Sequence, residues 1–158
     1  MKKLIALVSV TILLSSSGFS QSNGEIGTMD FEEGSVQHVV LANDIQWKPC
    51  PPHLPDGCEI TILEGDPKRN GLFTVRFQTS KGFLMPPHTH PKDERVTIIS
   101  GKVSVAFGAD ATHEDAKTFG PGDYYVNKRG EIHTVWADEN SILQITGIGP
   151  WQANFIEK

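Results

Sequence analysis

The stretch Gly82-Phe-Leu-Met-Pro-Pro-His88-Thr-His90-Pro-Lys-Asp-Glu94-Arg-Val-Thr-Ile-Ile-Ser-Gly101 constrains this chain most. Read as extended backbone, it places His88 and His90 on the same face, because side chains two apart on a strand point the same way. The two imidazoles can therefore reach one ion together. Glu94 follows across a short break that contains Pro91, and can offer an oxygen to the same ion. A third imidazole, His133, opens a strand-like run after Gly122-Asp-Tyr-Tyr-Val-Asn-Lys-Arg-Gly130-Glu-Ile. Three neutral nitrogens and one carboxylate suit a single divalent transition metal: Fe, Mn, Ni, Cu, Co or Zn.

The rest of the chain reads as short strands. Leu72 to Thr79 alternates, with Phe73, Val75 and Phe77 on one face. Val103, Val105 and Phe107 alternate with Ser104 and Ala106. Ile45 to Trp47, Glu59 to Leu63, Tyr124 to Asn127, Ile132 to Trp136 and Ile142 to Ile148 are further strand candidates. Arg95 to Ile99 and Lys102 to Phe107 read as a hairpin around Ser100-Gly101. The polar run Asp110 to Lys117 reads as a loop or one helical turn. Turn-rich segments stand between the strands, no long amphipathic helix is visible, and no repeat recurs. Short, regularly spaced strands of this kind predict an all-β sandwich or barrel.

The residues quoted above carry a family resemblance. Gly82, His88, His90, Glu94 and Gly101 meet the pattern Gly-x5-His-x-His-x3-Glu-x6-Gly, which resembles the first motif of the cupin superfamily. Gly122, Gly130 and His133 resemble the second motif, which the chain leaves at Lys128, where Pro is usual, and at Ala137, where Asn is usual. Neither departure removes a ligand. The resemblance implies an all-β jelly roll, the double-stranded β-helix barrel, with His88, His90, Glu94 and His133 as metal ligands pointing inside. It also implies a homodimer. The wider pattern, from Trp47 through Leu54-Pro-Asp-Gly57 to Gly149-Pro150-Trp151, is similar to small single-domain exported bacterial cupins, mostly of unassigned function. The Cys50 and Cys58 pair is additional to that pattern.

The N-terminus reads as an export signal. Lys2 and Lys3 precede an apolar run from Leu4 to Leu14, which gives way to small and polar residues up to Ser20. That run is too short to span a membrane. The expected division is residues 1–20 as a signal peptide, 21–40 as a loose arm and 41–158 as the cupin domain. The expected location is periplasmic or secreted, with no membrane span after cleavage. Without Lys2 and Lys3 the basic count falls from 14 to 12 against 19 acidic residues, a net of −7. Such a balance argues against nucleic acid as a partner, which calls for a basic stripe.

Two cysteines agree with export. Cys50 and Cys58 bracket a proline-rich loop and are expected to pair in an oxidising compartment. The rival readings are two free thiols, or a second metal site built from Cys50, Cys58 and His53. Within the barrel, Val96, Ile98 and Val135 share parity with the proposed ligands and are candidate cavity walls. Met85, Phe77, Phe107, Tyr124 and Gln144 are weaker candidates, better read as ordinary core. Arg76 and Gln78 read as a solvated strand face, His38 and His113 as surface residues, and Lys92 and Asp93 as solvent-exposed flanks of the site.

Four protein ligands leave one or two open positions on a five- or six-coordinate ion. The ion then serves as a Lewis acid or redox centre in a dry cavity. Two functions follow: a metal-dependent oxygenase acting on a small organic molecule, or a metal- or ligand-binding module without turnover. Redox-active Fe, Mn, Cu or Ni favours the first and Zn the second. No second carboxylate or lysine is placed by spacing as a general base, which weakens an isomerase reading.

Overall fold

The structure is a computed structural model that describes residues 26–156. The expected signal peptide lies outside the described residues. Among the described residues eleven strands run in chain order: β1 (Lys48–Pro49), β2 (Cys58–Glu64), β3 (Gly71–Thr79), β4 (Leu84–Thr89), β5 (Glu94–Ser100), β6 (Val103–Phe107), β7 (Lys117–Phe119), β8 (Tyr124–Asn127), β9 (His133–Ala137), β10 (Ser141–Gly149) and β11 (Asn154–Phe155). One sheet has the order β1-β2-β3-β10-β5-β8 and the other β11-β4-β9-β6-β7, with every pair antiparallel. From β3 onward the chain changes sheet at almost every step, and only β6 and β7 form a paired hairpin between neighbours. That winding is the jelly roll.

This winding corrects the hairpin expected at Ser100-Gly101. β5 pairs with β10 and β8, whereas β6 pairs with β9 and β7 in the opposite sheet. Alternation tells which face of a strand is buried but not which strand it pairs with. The link must still be tight. Gly101 has φ of +77°, and a Cβ there would strike the Asn140 carbonyl oxygen and Ser141 Oγ.

The apolar residues meet between the sheets. Phe73 and Val75 of β3, Val96 and Ile98 of β5, and Val103 of β6 are almost wholly inaccessible. Register brings Leu143 opposite Phe77, Ile145 opposite Val75 and Gly147 opposite Phe73. Gly147 makes room for the phenyl ring, since a Cβ there would lie 3.0 Å from Phe73 Cζ. Ser104 and Ala106, on the other face of β6, are buried too. The segment after β6, with its short 3-10 turn at His113–Asp115, packs over that face.

Cys50 and Cys58 form a disulfide, with Cα atoms 5.6 Å apart. This removes both the free-thiol reading and the second metal site with His53, because no thiol is left to ligate. The Cys50 N–H donates to the Cys58 carbonyl at 3.1 Å. The bridge sets the register of β1 on β2, so pairing begins at Lys48 rather than in the expected strand at Ile45 to Trp47.

Candidate metal centre

Three strands, β4, β5 and β9, bring the candidate ligands together. His88 lies near the end of β4 and His90 one residue beyond it. Glu94 is the first residue of β5, and His133 the first of β9. β4 and β9 pair with His88 opposite His133, while β5 and β8 pair with Glu94 opposite Asn127. The break at Pro91 to Asp93 is latched from the other side of the site. The Gly130 N–H donates to the His90 carbonyl at 2.9 Å, and the Arg129 N–H to Asp93 Oδ1 at 3.0 Å. Asp93 is thus half-buried and structural, not the solvent-exposed flank expected. Its Arg129 contacts hold its carboxyl below the usual carboxylate range. Lys92 likewise donates from Nζ to the Gly149 carbonyl at 3.0 Å.

His88, His90, Glu94 and His133 are all buried. Each imidazole uses Nδ1 on a backbone carbonyl: His88 on Pro86 at 2.7 Å, His90 on Gln152 at 2.8 Å and His133 on Glu131 at 3.0 Å. A carbonyl only accepts, so each Nδ1 carries the proton and each Nε2 presents a lone pair. The three imidazoles can offer ligand atoms that all lie within 4.8 Å of one another. Nε2 of His90 and of His133 is buried without a hydrogen-bond partner. Both face Glu94, with Oε1 3.3 Å from His90 Nε2 and Oε2 3.7 Å from His133 Nε2. Buried lone pairs that converge on a carboxylate call for a cation between them. The donor set therefore fits a divalent transition ion.

The electrostatics separate His88 from His90. Burial, followed by the neighbouring His133 and His90, lowers the His88 pKa to about 4, so this imidazole is neutral over the ordinary pH range. Burial also disfavours charge on His90, but the Glu94 carboxylate outweighs it and holds His90 above its usual value. Burial opposes the charge on Glu94, yet His90 and the contacts with His133 hold it well below the usual carboxylate range. Asn127 Nδ2 donates to Glu94 Oε2 at 2.9 Å and fixes the carboxylate.

A cavity of about 70 Å³ opens beside this cluster. His88, His90 and Glu94 line it, and Val96 and Val135 form walls as expected, but Ile98 lies in the core behind. Phe77 and Met85 also face the cavity. Tyr124 and Phe107 do not line it, and both are more than half exposed. Phe107 still places its ring 5.9 Å from that of His133. Gln144 accepts from Arg76 Nε at 3.0 Å, among partly buried residues outside the cavity lining. Tyr125, opposite Val96 on β8, is the tyrosine that turns inward. Two adjacent tyrosines carry no alternation signal, so sequence could not choose between them. Trp151 was likewise missed as a wall. It follows the last long strand, stacks on His90 at 4.9 Å and packs against Phe73 and Phe77. Cys58 brings the disulfide into the cavity wall, next to Leu54.

The remaining histidines stand apart. His38 Nε2 meets the Leu63 carbonyl at 2.7 Å and His113 Nε2 meets Asp138 at 2.7 Å, both at exposed positions.

A jelly roll whose barrel holds three buried histidines defines a cupin. The chain belongs to the family described as the ChrR cupin-like domain, whose model matches residues 35–152. It is similar to germin-like protein subfamily 2 member 4 of Arabidopsis thaliana, with 38% identity over 64 residues. That match takes in 40% of this chain but only 29% of the plant protein, so the chain spans well under two thirds of its length. Among solved structures it resembles an acetylacetone dioxygenase from Acinetobacter johnsonii, at TM-score 0.61 and 19% identity over 84% of this chain and 85% of that one. It also resembles the polyketide cyclase RemF from Streptomyces resistomycificus, at TM-score 0.61 and 16% identity over 77% of this chain and 88% of that one. At such identity these likenesses establish the fold alone.

Proposed function

We propose that His88, His90, Glu94 and His133 hold one divalent transition metal, and that the chain is an exported oxygenase acting on a small organic molecule. The observation that carries the reading is the cluster of three carbonyl-locked imidazoles, two of which, His90 and His133, face the buried Glu94 carboxylate. A bound redox-active ion would supply a Lewis acid and an electron-transfer centre for dioxygen. The chain's own part is geometric. Carbonyls of Pro86, Gln152 and Glu131 fix the imidazole orientations, and Asn127 fixes Glu94. Val96, Val135, Met85 and Phe77 exclude water from the volume where an organic molecule would sit. The acetylacetone dioxygenase with the same fold supports oxygen chemistry as the first class to test.

The second reading, a binding module without turnover, is favoured by one feature. Among the described residues Glu94 is the only carboxylate lining the cavity and no lysine lines it, so these residues offer no separate general base. Elemental analysis of protein purified without chelators or a nickel column, followed by an oxygen-uptake screen, tests both. The oxygenase predicts Fe, Mn, Cu or Ni and uptake with at least one small substrate. Zinc without uptake favours the module. Full metal content in the His88→Ala/His90→Ala double variant would overturn the site itself.

Export to a periplasmic or secreted location is proposed on the signal-like N-terminus and is supported by the disulfide. Among the described residues no helix is long and apolar enough to cross a membrane. A homodimer is proposed from the cupin likeness. It would cover Val36, Val39, Val40 and Leu41, which stand exposed ahead of β1. Sedimentation of the mature chain tests it.

A further inference from the structure

We propose that Trp151 sets the ligand specificity of the cavity, its indole N–H donating to an acceptor oxygen of a small, otherwise apolar ligand. The inference deepens the reading of this cavity as a substrate site and rests on it. Two independent observations meet at Trp151. It lines the cavity, and its Nε1 is buried with no hydrogen-bond partner. Buried indole N–H groups are normally paired, because an unmet donor loses its water without compensation. The side chain is not free to turn toward solvent for a partner. Its ring is stacked on His90 and packed against Phe73 and Phe77, and its backbone N–H is tied to the Pro67 carbonyl at 2.7 Å.

The other lining groups narrow the ligand class. Leu54, Phe77, Phe83, Met85, Val96 and Leu143 are among an apolar majority. The Thr79 hydroxyl is directed to the Ser141 carbonyl. The Tyr125 hydroxyl is a second potential donor, since burial and then the nearby Glu94 charge push its pKa up and keep the proton on the oxygen. Glu94 and the lone pairs of His88 and His90 also line the cavity, but they face the proposed ion; with that ion bound, the polar groups left to a ligand are donors. Its volume of about 70 Å³ is roughly half that of a cavity that takes benzene. The class that fits is a short carboxylate, ketone or enolate with an apolar tail. A primary amine of the same size does not fit.

The test titrates propionate and propylamine onto the metal-loaded, full-length mature protein by calorimetry, with metal content measured on the same samples. Propionate should bind and propylamine should not. Trp151→Phe should weaken propionate by about tenfold, the cost of one lost hydrogen bond in a buried site. Benzothienylalanine at position 151 keeps the fused ring and its stack on His90 but has sulfur in place of N–H. It should show the same loss, and it decides the matter if Trp151→Phe misfolds. Wild-type affinity in the benzothienyl variant overturns the proposal, as does equal binding of propylamine or no binding of propionate. Metal content separates the two readings. Protein that holds no metal yet binds propionate through Trp151 refutes the metal centre alone. Metal-loaded protein that does not discriminate the probes refutes the Trp151 assignment alone.

Discussion

Glu94 is held by a contact that no motif spells out. Asn127 Nδ2 donates to Oε2 at 2.9 Å, and Asn127 is itself almost wholly buried. A partner of this kind orients a ligand before the ion arrives. Asn127→Ala should therefore lower metal affinity about tenfold or more, with Glu94 still present. Competition against a chromophoric chelator reads this directly, and unchanged affinity would remove Asn127 from the site. A second carboxylate, Asp138, acts through stability. It accepts from Ser104 Oγ at 2.6 Å and from His113 Nε2 at 2.7 Å. Partial burial works against its charge, but the Ser104 and His113 contacts outweigh it and hold the carboxyl below its ordinary 3.8. The unfolded chain then takes up this proton first as pH falls, so the contribution is full above the ordinary value and fades through the lower folded one. Asp138→Asn should cost about 1 kcal/mol near neutrality. Its melting temperature should approach that of the wild type as pH drops from about 5 toward 3. A gap that widens over that window would contradict the assignment.

At the scale of elements, the sequence tells faces better than partners. β3 and β10 bury every second residue; that alternation was legible in Phe73, Val75 and Phe77, whereas the run from Ile142 to Ile148 was legible only as a strand, with Ile142 and Ile148 on its less buried face. The candidate ligands stood out for a different reason: spacing alone groups His88, His90 and Glu94, and the β4–β9 register sets His133 opposite His88. The sheet change at Gly101 was not legible, because an in-sheet hairpin and a cross-barrel link show the same alternation on either side of a glycine. The inward tyrosine was hidden for a similar reason. Its direction is fixed by the turn contacts between Ile98 and Asp123 and between Gly122 and Ile98, which lie far apart in sequence. Gly101 gives a sharp test of the crossing. Gly122, at φ of +89°, has open space where a Cβ would go, so Ala there costs only backbone strain of about 1 kcal/mol. Gly101→Ala adds collision with Asn140 and Ser141 and should cost about 2 kcal/mol or more. Equal denaturation midpoints for the two variants would mean that the 140–141 turn yields freely.

At the scale of the whole molecule, the disulfide joins stability to the cavity. Cys50, Leu54 and Cys58 pack against the core, and Leu54 and Cys58 form part of the cavity wall. No proposed metal ligand lies between residues 50 and 58, and the imidazoles are held by carbonyls of Pro86, Gln152 and Glu131. The bridge spans a sequence separation of 8, for which loop-closure entropy alone is worth about 2.5 kcal/mol. Reduction should therefore lower the melting temperature by about 5–10 °C. Metal content should stay at the oxidised level, because the ligand geometry is set elsewhere. Binding of a small apolar probe should weaken, because releasing Cys58 from Cys50 frees Leu54 from that wall. Thiol titration after denaturation without reductant checks the premise, and two free thiols would remove it. Loss of metal together with the disulfide would show that the wall and the ligand cluster form one cooperative unit, against the separation argued from Pro86, Gln152 and Glu131.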